Sequence, residues 1–343
     1  DLLYRAIIST YNSKNIIDII RKICQLKNGE NLKYTTQAIS GSILGVPGVG
    51  KTSTIKRCLS LLPQVIEHVE FNDSIFYKKQ ILYLHIECPS DCSIKTLAYN
   101  IISAVDRAIG SEYFSVISRQ SKISASALAT QVKIICLNHV IGLIVVDEIQ
   151  NTIRTAEKNH QIKPLIKFLV ELLNDTCTSV YFVGTMEADE VFQQYDHLKR
   201  RTRGIRLLPM RPDATYRNFL SEFWRYQLVL NKSQLTDKTS NKIYDYSGGI
   251  PSYIVQIFVE AQAQAIICGI EQLNEKVVQK AVNLLCISVP KSYPMGVSLS
   301  DFDVHNISAD DINIIDTPKS EPRAYANARG RKKQIRSEKD LIE

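Results

Sequence analysis

An α/β fold is predicted for this 343-residue chain: a mostly parallel sheet flanked by helices, followed by a smaller all-helical domain. Three observations predict it. Short apolar runs alternate with longer stretches of helical spacing, a glycine-rich turn follows the first of those runs, and strand signals stop near Pro212.

Apolar residues at helical spacing between Ile16 and Leu26 predict an amphipathic helix packed beneath the nucleotide domain. The strands are read at AISGSIL (38–44), ILYLHI (81–86), IGLIVVD (141–147), SVYFVGT (179–185) and GIRLLP (204–209). Between them SIKTLAYNIISAVDRAI, IKPLIKFLVELLND and ADEVFQQYDHLKR have the spacing of helices that cover a parallel sheet. Beyond Pro212, TYRNFLSEFWRYQLVL, KTSNKIYDYS, SYIVQIFVEAQAQAII and EKVVQKAVNLL read as helices. The expected organisation is an N-terminal helical segment (1–34), an α/β domain (35–210), a helical lid (211–287) and a polar tail (288–343). The tail runs from an acidic stretch (Asp301, Asp303, Asp310, Asp311, Asp316) into a basic one (Arg323, Arg329, Arg331, Lys332, Lys333, Arg336). It reads as a disordered end, or as a segment that orders only on a partner.

Length and composition agree with two folded units, since single cores stop growing near 250–300 residues. With 45% hydrophobic and 22% charged residues the chain has an ordinary globular balance, and no apolar run approaches the 18 residues of a membrane span. The eight cysteines are scattered through apolar segments rather than framed for disulfides, and no secretory signal precedes them, which predicts a reducing cytoplasm. The chain opens on Asp1 rather than Met, so any upstream segment lies outside this reading. A net charge of +7 suits an acidic polymer as partner if the cations share one surface.

Gly45, Gly50, Lys51 and Thr52 fit the phosphate-binding pattern G-x-x-x-x-G-K-[ST]. A strand precedes it and TSTIKRCLSLL, with helical spacing, follows, so backbone N–H groups and a helix N-terminus converge on phosphate oxygens. The expected nucleotide-binding set is Gly45, Val46, Pro47, Gly48, Val49, Gly50, Lys51, Thr52 and Ser53. Lys51 would neutralise the terminal phosphates and Thr52 would complete a Mg2+ shell.

About a hundred residues on, LIVVDEIQ ends a strand on two acids. Asp147 is placed to hold Mg2+, and Glu148 to orient and deprotonate a water, so the pair implies ATP hydrolysis as well as binding. Thr185, at the end of SVYFVGT, reads either as a sensor of water or phosphate or as a cap for the following helix. In LKRRTRGIR, Arg200 and Arg201, with Arg203 behind them, are candidates to reach the γ-phosphate of a neighbouring subunit, where developing charge needs a planar cation.

In this order GVPGVGKT, IVVDEIQN, YFVGT, the KRRTR segment and the lid length resemble the AAA+ ATPases. With LHIECPSDCSIKTLAYNI added, they resemble more narrowly the transposition regulators of the TnsC/TniB family, over about residues 35–287. The resemblance implies an AAA+ fold using ATP and Mg2+, and self-assembly into rings or filaments around duplex DNA. It also implies target-site information passed from a target selector to a transposase. In that family DNA is followed by the region after the second strand and the loop beyond its helix, which points here to Lys95, Thr96, Arg119, Ser121 and Lys122. These side chains suit sequence-independent phosphate contacts; an exposed helix charge and a plain loop are the structural alternatives. One departure matters: many AAA+ proteins carry an arginine near the start of a lid helix. Here SGGIPSYIVQIF places Ser252 and Tyr253 at that turn, with Gly248 and Gly249 to shape it.

Other readings carry less. His85, Cys88 and Cys92 offer three potential metal ligands without a fourth, so a strand end with buried thiols is expected. Trp224, Phe219, Phe223 and Tyr226 sit at helical spacing and read as lid core. The competing functional classes are a replication-type helicase loader, a signalling ATPase switch without DNA binding, and a scaffold that only binds ATP.

Overall fold

The computed structural model describes residues 1–30, 38–71, 74–91, 93–120, 122–151, 162–193 and 204–287. The expected tail, Arg200, Arg201, Arg203, Ser121 and Cys92 lie outside them. Numbered in chain order among the described residues, α1 (Leu2–Asn12) and α2 (Ile16–Lys27) precede β1 (Ser40–Gly45) and α3 (Lys51–Leu59). A hairpin, β2 (Val65–Phe71) and β3 (Ser74–Ile81), leads into β4 (Tyr83–Glu87). Then come α4 (Ile94–Ile109), α5 (Tyr113–Ser118), α6 (Ala125–Asn138), β5 (Leu143–Asp147), α7 (Ile162–Thr176), β6 (Ser179–Gly184), α8 (Glu187–Gln193) and β7 (Ile205–Leu207). The last four helices are α9 (Ala214–Trp224), α10 (Asp237–Ser247), α11 (Pro251–Ile267) and α12 (Glu275–Leu285).

Five strands form a parallel sheet in the order β4-β5-β6-β1-β7, the α/β fold expected. Period-two alternation sorts its side chains. Ile144 and Val146 of β5 join Leu84, Ile86, Val180 and Phe182 in a core closed by α4, α6 and α7. Leu143 and Val145 face the opposite side with Ile43, Tyr181 and Val183, against Leu3 and Ile7 of α1 and Ile55 and Leu59 of α3. Each such side chain, fully buried, contributes roughly 1.5–3 kcal/mol. By the same parity Asp147 emerges from β5 on the α3 side, which is what brings it to the phosphate loop. Chain connections diverge around β1, and clefts form at the carboxyl ends of strands where they do so.

The structure adds one packing helix and corrects three expectations. The helix that packs on the sheet itself is α1, with Leu3, Ala6, Ile7 and Thr10 buried; α2 packs against α6 with Ile19 buried and Ile17 and Ile20 exposed. The Thr10 hydroxyl donates to the Gly142 carbonyl at 2.7 Å, and the Ser179 hydroxyl donates to the Ala6 carbonyl at 2.9 Å, so α1 is tied to the sheet by buried bonds as well. The run ILYLHI is not one strand. Ile81 ends an antiparallel hairpin and Tyr83 starts β4, with Ile81 N–H spent on the His139 carbonyl. The strand expected to be second is therefore the fourth. Finally, the first lid helix stops at Trp224 instead of running to Leu230. Gln227 turns the chain by donating to the carbonyls of both Trp224 and Ser233, each at 2.8 Å, and leaves Tyr226, Leu228 and Leu230 exposed.

The four last helices bury their own core, including Tyr216, Leu220, Trp224, Ile254, Phe258 and Val278. Phe219 and Phe223 pack against it and Trp224 Nε1 donates to the Ser233 carbonyl at 2.9 Å, so the aromatic set is core except for Tyr226. Among the described residues no helix is long and apolar enough to cross a membrane.

Candidate nucleotide site

The phosphate loop leaves the sheet at Gly45, the end of β1, and α3 begins at Lys51. Gly48 (φ 79°) and Gly50 (φ 93°) hold left-handed backbone that a Cβ would strain, and a Cβ on Gly48 would also run into the Ser252 hydroxyl. Lys51 is buried, and its ammonium donates to the carbonyls of Gly45 at 3.0 Å and Val46 at 3.1 Å. Burial lowers its pKa, while the charges of Glu148 and Asp147 oppose that shift. Ser53 is exposed on α3, one residue past Thr52, and Pro47 is exposed at the loop's turn.

Thr52 Oγ1 donates to Asp147 Oδ2 at 2.7 Å, joining the start of α3 to the end of β5 across 95 residues of sequence. The same carboxylate oxygen lies 3.2 Å from His85 Nε2 of β4, and Asp147 Oδ1 accepts the Glu148 N–H at 2.9 Å. Burial pushes the Asp147 pKa up, but the bonds from His85, Thr52 and the Glu148 N–H together outweigh it and hold the group below the ordinary carboxylate value. A hydroxyl and an anionic carboxylate this close are hard oxygen donors of the kind Mg2+ takes alongside phosphate oxygens and water. His85, read from sequence as a strand-end residue beside thiols, thus belongs to this site. Its signal was register: it pairs with Val145, two residues from Asp147 and on the same face. Among the described residues no group of three His, Cys, Asp or Glu side chains forms a metal cluster.

Glu148 adopts φ 58°, a left-handed conformation unusual for a side chain of its size. Gln150 Nε2 donates to its carboxylate, and Gln150 Oε1 accepts the Thr185 N–H at 3.1 Å. The Thr185 carbonyl accepts the Ala188 N–H, yet its hydroxyl is buried with no hydrogen-bond partner among the described residues. That hydroxyl does not cap the following helix, and an orphaned polar atom at this strand end suits a ligand that would supply its partner.

The lid meets the loop directly. Ser252 N–H, in the first turn of α11, donates to the Gly48 carbonyl at 3.1 Å, and the turn before it is shaped by Gly248 (φ 58°) and Gly249 (φ 72°). A cavity of about 400 Å³ opens beside the loop between α1, α3 and β7, with Lys51 and Thr54 at one wall and Leu3, Ile43, Ile55 and Leu207 at the others. Of the expected DNA contacts, Lys95 lies exposed in the first turn of α4, and Arg119 and Lys122 are exposed beyond α5. The Thr96 hydroxyl donates to Asp91 at 2.7 Å. The ring contact of Tyr99 with Phe114, 5.5 Å between centroids, packs α5 on α4.

The family model described as AAA domain matches residues 34–192, just under half of the chain. No curated protein matches the chain. Among solved structures it is similar to the ORC2 protein of Aeropyrum pernix, in ADPNP and ADP complexes, at 16% identity and a TM-score of 0.47. That match covers 79% of this chain and 67% of the other. It is also similar to the ORC1 protein of the same organism in complex with DNA, at 14% identity and 0.47, over 79% and 64% of the two chains. The RuvB Holliday junction branch migration motor of Thermotoga maritima follows at 14% and 0.37, over 79% and 68%. The chain thus spans about two thirds of the length of these structures.

Proposed function

From an ATPase domain of the AAA type whose loop, hydroxyl and paired acids meet at one strand end, we propose an ATP-dependent, DNA-binding regulator of transposition. It assembles into rings or filaments on duplex DNA, links target-site selection to transposase recruitment, and disassembles on hydrolysis. The observation that carries the ATP-driven part is the 2.7 Å bond between Thr52 and Asp147 with Glu148 next in the chain. The transposition part rests on the resemblance of the motifs to that family.

In this reading Gly45 to Ser53 wrap the phosphates, and the Lys51 ammonium exchanges two loop carbonyls for phosphate oxygens. Thr52 and Asp147 would hold Mg2+, which when bound neutralises charge on the terminal phosphates. Glu148 orients the attacking water and takes its proton, and the Thr185 hydroxyl gains a partner in that water or in the γ-phosphate. Arg200 or Arg201 of a neighbouring copy completes the site, so assembly requires ATP and hydrolysis loosens the contact. Lys95, Thr96, Arg119, Ser121 and Lys122 follow DNA phosphates without reading sequence. Ser252 stands where a lid arginine would be, so lid closure proceeds through backbone contact to Gly48 and not through a cation. The polar stretch from Ser288 is a candidate segment for binding the transposase.

The test is negative-stain electron microscopy on linear duplex DNA with a slowly hydrolysed ATP analogue, beside ADP and a Lys51→Ala variant. Rings or filaments formed by the wild type with the analogue alone are the expected result, followed by stimulated strand transfer when a transposase is added. Monomers in every sample would overturn the assembly mechanism in favour of a signalling switch, and transfer of a helicase onto DNA would identify a loader.

A further inference from the structure

We propose that Gln150 is a positioning residue for hydrolysis: its carboxamide ties the Glu148 carboxylate to the end of β6 and fixes the base against Thr185. The inference rests on the reading of Glu148 as the group that activates water. Gln150 is 6% exposed, and both ends of its amide are spent. Nε2 donates to Glu148, and Oε1 accepts the backbone N–H of Thr185. A buried amide loses stability unless both ends are bonded, so only one orientation of this side chain satisfies both neighbours.

Two further features point the same way. Glu148 is held in left-handed backbone and its N–H is fixed by Asp147 Oδ1, so the carboxylate starts from a constrained main chain and Gln150 sets where it ends. Gly184 leaves the room this requires: a Cβ there would lie 2.6 Å from Gln150 Oε1 and 2.7 Å from Ile149 Cγ2. The bridge therefore spans the ends of β5 and β6, the two strand ends between which an attacking water would sit. Any shift of Thr185 on meeting a phosphate passes through one amide to the base.

Gln150→Met keeps the length and removes both bonds; Gln150→Glu keeps an acceptor for the Thr185 N–H and removes the donor to Glu148. In the full chain, kcat is expected to fall by about tenfold or more in both variants, an orientation effect within the usual range for a misplaced base. KM for ATP and affinity for a fluorescent ATP analogue are expected to stay within about twofold, because no phosphate contact is removed. In nucleotide-free protein, hydrogen exchange of the peptide carrying the Thr185 amide should quicken in Gln150→Met and remain at the wild-type rate in Gln150→Glu. A merely structural glutamine would raise KM or lower the melting temperature without splitting the two variants by exchange. Wild-type kcat in Gln150→Met, or wild-type exchange at Thr185, overturns the bridge. If the wild type itself turns over no ATP, the reading of Glu148 fails while the exchange measurement still decides whether the bridge exists. Should Gln150→Met not fold, Gln150→Glu decides by kcat against KM alone.

Discussion

Among the described residues the buried Thr185 hydroxyl has no hydrogen-bond partner, which suits the proposed site, where a ligand would supply one. Leaving such a group unsatisfied costs about 1–3 kcal/mol, so Thr185→Val should leave the nucleotide-free protein as stable as wild type or stabilise it by up to about 1 kcal/mol. The same change should lower turnover by about tenfold, and denaturant melts beside steady-state kinetics check both halves. Glu148→Gln should cut turnover by about a hundredfold or more while retaining binding of a fluorescent ATP analogue, since the base is lost and the phosphate loop is not. Equal loss of binding would mean that Glu148 holds the nucleotide instead. That the loop, Asp147 and Glu148 come together was legible in the sequence because the pattern sets residue types at fixed spacing. His85 and Gln150 were not. Their places depend on strand register and on a local turn, and neither residue type announces its partner.

At the scale of elements, what sequence reading missed had a pattern but not a unique interpretation. Leu3, Ala6, Ile7 and Thr10 have helical spacing, yet nothing in composition says that α1 rather than α2 meets the sheet. That choice is made by Thr10 and Ser179 bonding across the interface. The hairpin alternates as VIEHVEF and SIFYKKQI, but only Leu82 separates its last residue, Ile81, from β4, so the apolar run shows no boundary there. The corner is braced by His139 at the end of α6: Nδ1 donates to the Lys79 carbonyl at 3.1 Å, and Nε2 accepts from the Tyr113 hydroxyl at 2.9 Å. Burial lowers the His139 pKa, the charge of Lys78 adds to that, and the bond to Lys79 partly opposes it. The unfolded chain therefore binds a proton near pH 6.5 that the folded chain refuses until lower pH. Stability contributed by neutral His139 is complete above that value and is lost as pH falls towards the folded pKa. His139→Gln should flatten the pH dependence of the denaturation midpoint between about pH 7 and 5 relative to wild type. Identical slopes would remove His139 from the account.

For the whole molecule, two cores, one around the sheet and one among the last four helices, meet where Ser252 N–H bonds the Gly48 carbonyl and Met210 N–H bonds the Gly249 carbonyl. In the proposed reading, nucleotide at the loop would bear on these helices through that main-chain contact. Where DNA would bear on the molecule in the proposed reading is a matter of charge. Lys95, Arg119 and Lys122 are exposed around the paired helices α4 and α5, and sequence-independent binding through phosphates predicts a definite salt law. Each cation that neutralises a phosphate steepens the fall of log affinity with log salt by about 0.9. With the ATP analogue present, single alanine variants at the three positions should each shallow the slope by about that amount, uniformly across DNA sequences. If the slopes stay at the wild-type value while affinity is retained, DNA lies on another face and these cations are solvated helix charge. If the wild type binds no DNA under any salt, the transposition reading falls and an ATP switch for protein partners takes its place.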